Sequence, residues 1–172
     1  RRCRAGEPEQ VMAAAGQGGT RQAAWLALAI PAALLGGAYI SEYGFGLYPC
    51  EMCWWQRWPH FAALPLAALA LVLPRWARPL TLLAALAILV SGLIGAFHAG
   101  VEYGWWEGLT TCTGAPLAIG GDPLAGILAA PLVRCDQVQW DLLGISLAGF
   151  NFLISTAGAL AVLALLRRGA RA

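Results

Sequence analysis

The chain contains no lysine and little charge of either sign: Asp, Glu and Arg together make up 12% of its 172 residues, about half the share usual in soluble domains. With 59% hydrophobic residues, this is the composition of a membrane protein. Basic blocks interleaved with aromatics are missing, which argues against a nucleic-acid partner. Internal repeats and a second domain are also missing. Only two histidines occur, His60 and His98, and both fall toward the ends of apolar stretches. A haem held between helices needs histidines paired inside them. The net charge of +2 is too small to point to any class of partner, and the eleven basic residues, all arginine, reflect compositional bias more than anion binding.

What is abundant is apolar sequence in long runs. A hydrocarbon core about 30 Å thick takes roughly 20 apolar helical residues, and four stretches qualify: 23–40, 54–73, 80–97 and 142–166. The second is continuously apolar only from Phe61, so Trp54, Trp55 and Trp58 are expected at the interface as anchors. The first is longer than the apolar region of a signal peptide and lacks a clear cleavage site. The expected fold is therefore an all-α membrane protein, a four-transmembrane-helix bundle spanning 23–166. Residues 1–22 are read as a disordered cytoplasmic tail and 167–172 as a short cytoplasmic tail.

Arginine placement sets the orientation. Arg1, Arg2, Arg4 and Arg21 precede the first stretch, Arg75 and Arg78 sit in the tight second connection, and Arg167, Arg168 and Arg171 close the chain. Positive charge concentrates on the cytoplasmic side of membrane proteins. Both termini are then inside, and the connections 41–58 and 98–141 are outside. These two hold only Arg57 and Arg134 against seven acids: Glu42, Glu51, Glu102, Glu107, Asp122, Asp136 and Asp141.

Four of the five cysteines fall in the outer connections: Cys50, Cys53, Cys112 and Cys135. Cys3 lies on the opposite side. Outside a bacterial inner membrane disulfides form and persist, so the four outer cysteines can form two bridges. A zinc site would want a second close pair, but 22 residues separate Cys112 from Cys135, and no metal is expected. Covalent haem attachment needs His directly after the second Cys, where Trp54 stands. Static stapling and redox exchange remain. The Cys-x-x-Cys ring is so short that closing it restricts the unfolded chain little, which favours exchange for Cys50 and Cys53. For Cys112 and Cys135, spacing alone leaves a loop staple and a disulfide open to a soluble thiolate about equally favoured.

Pro49 precedes the pair, and a helix is expected to begin near Cys53, bringing its sulfur to a helix N-terminus that favours the thiolate. Arg57 follows four residues later, on the same helix face and about 6 Å along the axis. An anchoring arginine is the plain explanation, yet this side of the chain otherwise avoids positive charge. A fixed cation at headgroup depth suits the oxygen of a quinone, which dissolves in the bilayer and takes the two electrons released when a dithiol closes to a disulfide.

Two motifs together carry a family likeness. Cys50-Glu51-Met52-Cys53-Trp54-Trp55-Gln56-Arg57 is similar to a Cys-x-x-Cys-x-x-x-Arg, and Cys135-Asp136-Gln137-Val138-Gln139-Trp140-Asp141-Leu142-Leu143-Gly144 to a Cys-x-x-x-Gln-Trp-Asp-x-x-Gly. Over 23–166 the chain resembles the DsbB family of membrane enzymes, which reoxidise the periplasmic thiol oxidase DsbA. The resemblance implies that Cys50 and Cys53 form the bridge passing electrons to ubiquinone or menaquinone, with Cys53 nearest the ring and Arg57 at the quinone. It also implies that Cys112 and Cys135 form the bridge attacked by a reduced DsbA-like partner. His98 is a further candidate at the quinone. Gln139 and Trp140 are read as interface residues and Asp141 as a cap for the fourth helix. The implied location is the bacterial inner membrane. The competing readings are an enzyme like vitamin K epoxide reductase, whose Cys-x-x-Cys usually stands on a later helix, and a membrane scaffold with two stapled loops.

Overall fold

The computed structural model describes residues 7–109, 113–114 and 132–169, with side chains described over 18–109 and 133–169. Among these residues the architecture is four α-helices: α1 (Glu7–Phe45), α2 (Glu51–Val72), α3 (Ala77–Glu102) and α4 (Leu147–Gly169). A single 3-10 turn, Pro74–Trp76, joins α2 to α3. Each helix packs on its chain neighbour, α3 on α4 across the long connection included; α4 closes on α1, and α1 touches α3. Two short antiparallel pairs lie between α3 and α4. β1 (Thr113–Gly114) pairs with β2 (Leu132–Val133), Thr113 opposite Val133, and β3 (Asp141–Leu142) pairs with β4 (Ile145–Ser146).

Among the described residues, three segments are long and apolar enough to cross a membrane: Gly18–Phe45, Pro74–Glu102 and Leu147–Gly169. The protein is thus a mostly helical membrane protein. α2 falls short of the same measure because Glu51, Gln56, Arg57 and His60 occupy its first half. It nevertheless packs between α1 and α3 like the others. On α3, Leu82, Leu86, Val90 and Leu93 are exposed, an apolar outer face of the kind lipid solvates.

Small side chains build the interior. Ala23, Ala27, Ala63, Ala67, Ala84, Ala85 and Ala159 are buried with Ile88 and Val162, and small residues let helix backbones approach where no hydrophobic effect drives them together. Gly95 takes this furthest: a Cβ there would meet Ala148 O, Asn151 Nδ2 and Phe152 N, each at 3.0 Å. Its missing side chain is what brings Asn151 of α4 to the centre of the bundle.

Three boundaries differ from the sequence expectation. α1 reaches back from the expected stretch 23–40 to Glu7. α2 starts at Glu51, two residues before Cys53, because Cys50 is its N-cap and its sulfur accepts the Cys53 N–H at 3.3 Å. The fourth helix starts at Leu147, not 142. A tight turn intervenes, with Leu143 at φ 56° and Gly144 at φ 76°, and Asp141 accepts the Gly144 N–H at 3.2 Å inside that turn. The cap of α4 is Ser146, whose Oγ accepts the Gly149 N–H at 3.1 Å.

Candidate active site

Cys50 and Cys53 stand at the first turn of α2, their sulfurs 3.0 Å apart. Cys50 is buried, 1% exposed. Both precede the apolar part of the helix. The Cys50 thiol donates to the Cys53 sulfur, and that bond, with burial, pushes Cys50 up well above the ordinary thiol range. The same bond holds Cys53 down, helped by the Cys50 amide and by Arg57. Cys53 is therefore the thiolate of the pair, as its place at the helix start predicts.

His98, on α3, faces this pair: its Nε2 lies 3.5 Å from Cys50 Sγ and 3.8 Å from Glu102 Oε1. Cys135, from the second long connection, is buried in the same cluster, with Cys50, Met52, Val101 and Val133, against Cys53, Trp55 and Phe97. Its backbone hydrogen-bonds to the His98 ring. Beside it, Arg134 Nε donates to Asp136 Oδ1 at 2.8 Å and Arg134 Nη2 to Asp136 Oδ2. Three of the four candidate cysteines thus converge on one end of the bundle. Cys112 and Cys3 lie outside the described residues.

Arg57 is buried and held on three sides. Nη1 donates to Glu42 Oε2 of α1 at 2.6 Å, Nη2 to Ala38 O at 3.4 Å, and the guanidinium carbon sits 5.1 Å from the Tyr39 ring centroid and 5.0 Å from that of Trp54. The cation is accordingly balanced by a carboxylate and two aromatic faces, not left to face a ligand alone. Glu42 and Tyr39 lie on α1, and nothing in the local sequence of α2 signals them.

Between these groups lies a cavity of about 580 Å³, with Cys53, Arg57, His98 and Glu102 at one end and Ala33, Leu34 and Ile154 along its flank. Gln139 and Trp140 also line it, Trp140 packing on Phe150 with ring centroids 6.3 Å apart. One end is polar and redox-capable, the flank apolar. That is the shape of site a molecule with a polar head and a hydrocarbon tail fits.

Along the cavity wall runs a buried polar network that the motifs alone did not reveal. Gln56 meets His98 at 2.8 Å and Asn151 at 2.8 Å; Asn151 meets His60 at 3.0 Å and Ser155 at 2.9 Å. Ser91 Oγ donates to Gln56 O at 2.8 Å and lies 2.8 Å from His60 Nε2. A signal was present in the sequence: polar residues inside apolar helices are costly and face the bundle interior, and Asn151 is such a residue. His60 and His98 both line the cavity, joined through Gln56 and Asn151 instead of facing one another.

Known proteins resemble this chain over most of its length. The family model described as "Disulfide bond formation protein DsbB" matches residues 20–165. A protein named "Disulfide bond formation protein B" from Verminephrobacter eiseniae (strain EF01-2) is 32% identical over 160 residues, 88% of this chain and 88% of that protein. An uncharacterized protein of Rickettsia prowazekii (strain Madrid E) is 26% identical over 125 residues, 70% of this chain and 73% of that one. No solved structure matches the chain.

Proposed function

We propose that this chain, which belongs to the DsbB family of disulfide bond formation proteins, passes electrons from a reduced, periplasmic DsbA-like thiol oxidase to ubiquinone or menaquinone in the bacterial inner membrane. The observation that carries the reading is the opening of Cys53, the thiolate of a close pair, onto a cavity that also holds Arg57 and His98. In this reading α2 is the fourth span, both termini are cytoplasmic, and the cysteines face the periplasm.

The steps balance as thiol–disulfide exchange followed by one two-electron transfer. A thiolate of the reduced partner attacks the Cys112–Cys135 bridge and leaves as part of its own disulfide, so the second connection holds two thiols. Cys135, packed with Cys50, attacks the Cys50–Cys53 bridge at Cys50 and Cys53 leaves as thiolate. Closure of Cys112 on Cys135 then releases Cys50. The quinone, when bound, supplies the sink for the two electrons and two protons of the Cys50–Cys53 dithiol. Arg57 stabilises negative charge on an oxygen at the polar end of the cavity, preorganised for it by Glu42, Tyr39 and Trp54. The apolar flank excludes water.

The test is quinone reduction by purified protein in detergent, with a reduced DsbA-like dithiol and a short-chain quinone, followed by loss of quinone absorbance. The reading expects turnover that disappears in Cys53→Ser and in Cys112→Ser. Turnover no higher than in these variants, with partner and quinone active, would leave a disulfide-stapled scaffold as the better account.

A further inference from the structure

We infer that Gln56 and Asn151 are positioning residues that fix His98 in the tautomer with hydrogen on Nε2, so that the ring meets Cys50 as a hydrogen-bond donor and not as a base or metal ligand. Two backbone carbonyls, which can only accept, fix the order of donors and acceptors. Ser91 O lies 3.1 Å from one terminal atom of the Asn151 amide, so that atom is the nitrogen. The same Nδ2 lies 2.8 Å from Gln56, so the Gln56 atom facing it is the carbonyl oxygen. The other terminal atom of Gln56 is therefore its nitrogen, in agreement with its second contact, Met52 O at 3.2 Å. Turning either amide over would set acceptor against acceptor at Ser91 O or Met52 O. Amide orientation is thus settled by the bonding pattern and not by convention.

Gln56 Nε2 then meets His98 Nδ1 at 2.8 Å, and since Nε2 is a donor, Nδ1 must accept. In a neutral imidazole the hydrogen is consequently on Nε2. That nitrogen faces acceptors: the Cys135 backbone carbonyl, Cys50 Sγ at 3.5 Å and Glu102 Oε1 at 3.8 Å. The same logic orders the far end of the network. Ser91 Oγ spends its hydrogen on Gln56 O, so His60 Nε2 donates to Ser91 Oγ and Asn151 Oδ1. Among the described residues His60 Nδ1 is left as a buried nitrogen with no partner, which is cheapest when it carries no hydrogen.

Two consequences follow for the cysteines. Ligand atoms of Cys50, Cys53 and His98 lie within 4.8 Å of one another, a grouping that could hold a soft metal ion. With hydrogen on Nε2, however, the lone pair of His98 points at Gln56, and ligation would require that amide to turn. The metal-capable trio is kept for thiol chemistry. In addition, the hydrogen bonds line up, from His98 Nε2–H to the Cys50 sulfur and from the Cys50 thiol to the Cys53 sulfur. Such chains reinforce one another. A donor on Cys50 therefore supports the thiolate on Cys53, and it also receives charge on Cys50 when that sulfur is the leaving group.

The inference rests on the proposed function only in treating Cys50 and Cys53 as the working pair, and its test uses neither quinone nor partner. In reduced, detergent-solubilised protein labelled with ¹⁵N in histidine and glutamine, the expected spectrum has His98 Nδ1 unprotonated, Nε2 protonated, and a coupling across the hydrogen bond from Gln56 Nε2 to His98 Nδ1. The His98 signals are assigned by their loss in His98→Asn. In Gln56→Met, with unchanged helix content, the alkylation rate of Cys53 is expected to fall roughly tenfold, the equivalent of one pKa unit. A protonated Nδ1 in the unmodified protein overturns the inference, and so does a Gln56→Met protein alkylated at the original rate. A failure of quinone reduction with the expected spectrum intact would count against the proposed function alone.

Discussion

Arg57 and Glu42 form an ion pair at 2.6 Å between α2 and α1, with 8% and 13% of their side-chain surfaces exposed. A buried charge that loses its partner is far more costly than a pair replaced by apolar groups, about 3 kcal/mol or more against near neutrality. Arg57→Leu is therefore expected to destabilise the protein by about 3 kcal/mol, and Arg57→Leu with Glu42→Leu to recover most of that in thermal denaturation. Quinone affinity is expected to stay weak in both. Affinity restored with stability would confine Arg57 to a structural role.

The two thiols of the first pair are expected to differ sharply in reactivity. Cys53 is held below the ordinary thiol range by its bond from Cys50, while Cys50 is pushed up. Because the thiolate is the reactive form, Cys53 should react with iodoacetamide at and below the ordinary thiol range, about 8.5, where Cys50 stays protonated and silent. Mass spectrometry after timed quenching measures this. Equal labelling of the two cysteines across that range would contradict the assigned thiolate.

Ser146 joins three elements: it caps α4 at Gly149, donates to Glu102, and its N–H bonds to the Tyr103 hydroxyl at 2.8 Å. Loss of an N-cap costs about 1 kcal/mol. In Ser146→Ala, hydrogen exchange at the Gly149 amide is expected to quicken about fivefold, as that energy implies, while the amides at the middle of α4 keep their protection. Uniform acceleration along α4 would mean that the cap holds the whole helix and not its end.

Much of the site was legible in the sequence. Cys50, Cys53 and Arg57 lie within two turns of one helix, and the spacing of a helix places them together whatever else the chain does. The start of α2 escaped by two residues because a sulfur, not one of the usual oxygens, serves as its cap. The turn at 141–146 escaped because Leu143 takes a positive φ that leucine rarely adopts, so the stretch looked like the start of a helix. Glu42 and Asn151 escaped for a different reason. Each reaches the site from another helix, through a packing arrangement that Gly95 and the buried alanines decide, and no local pattern records which faces will meet. The likeness between His98 and a quinone contact was legible only as a lone polar residue near a helix end; its bonds to Gln56 and Cys50 belong to the tertiary structure.

The central claim, that the cavity beside Cys53 receives the quinone, is tested most directly by filling it. Ala38 lines the cavity and its carbonyl meets Arg57. Ala38→Trp leaves every cysteine in place. The measurement is the quinone KM of that variant under saturating reduced partner. A rise of roughly tenfold or more, about 1.4 kcal/mol, with thiol–disulfide exchange between partner and protein unchanged, is the predicted result. An unchanged KM in a folded, exchanging Ala38→Trp protein would place the quinone somewhere else.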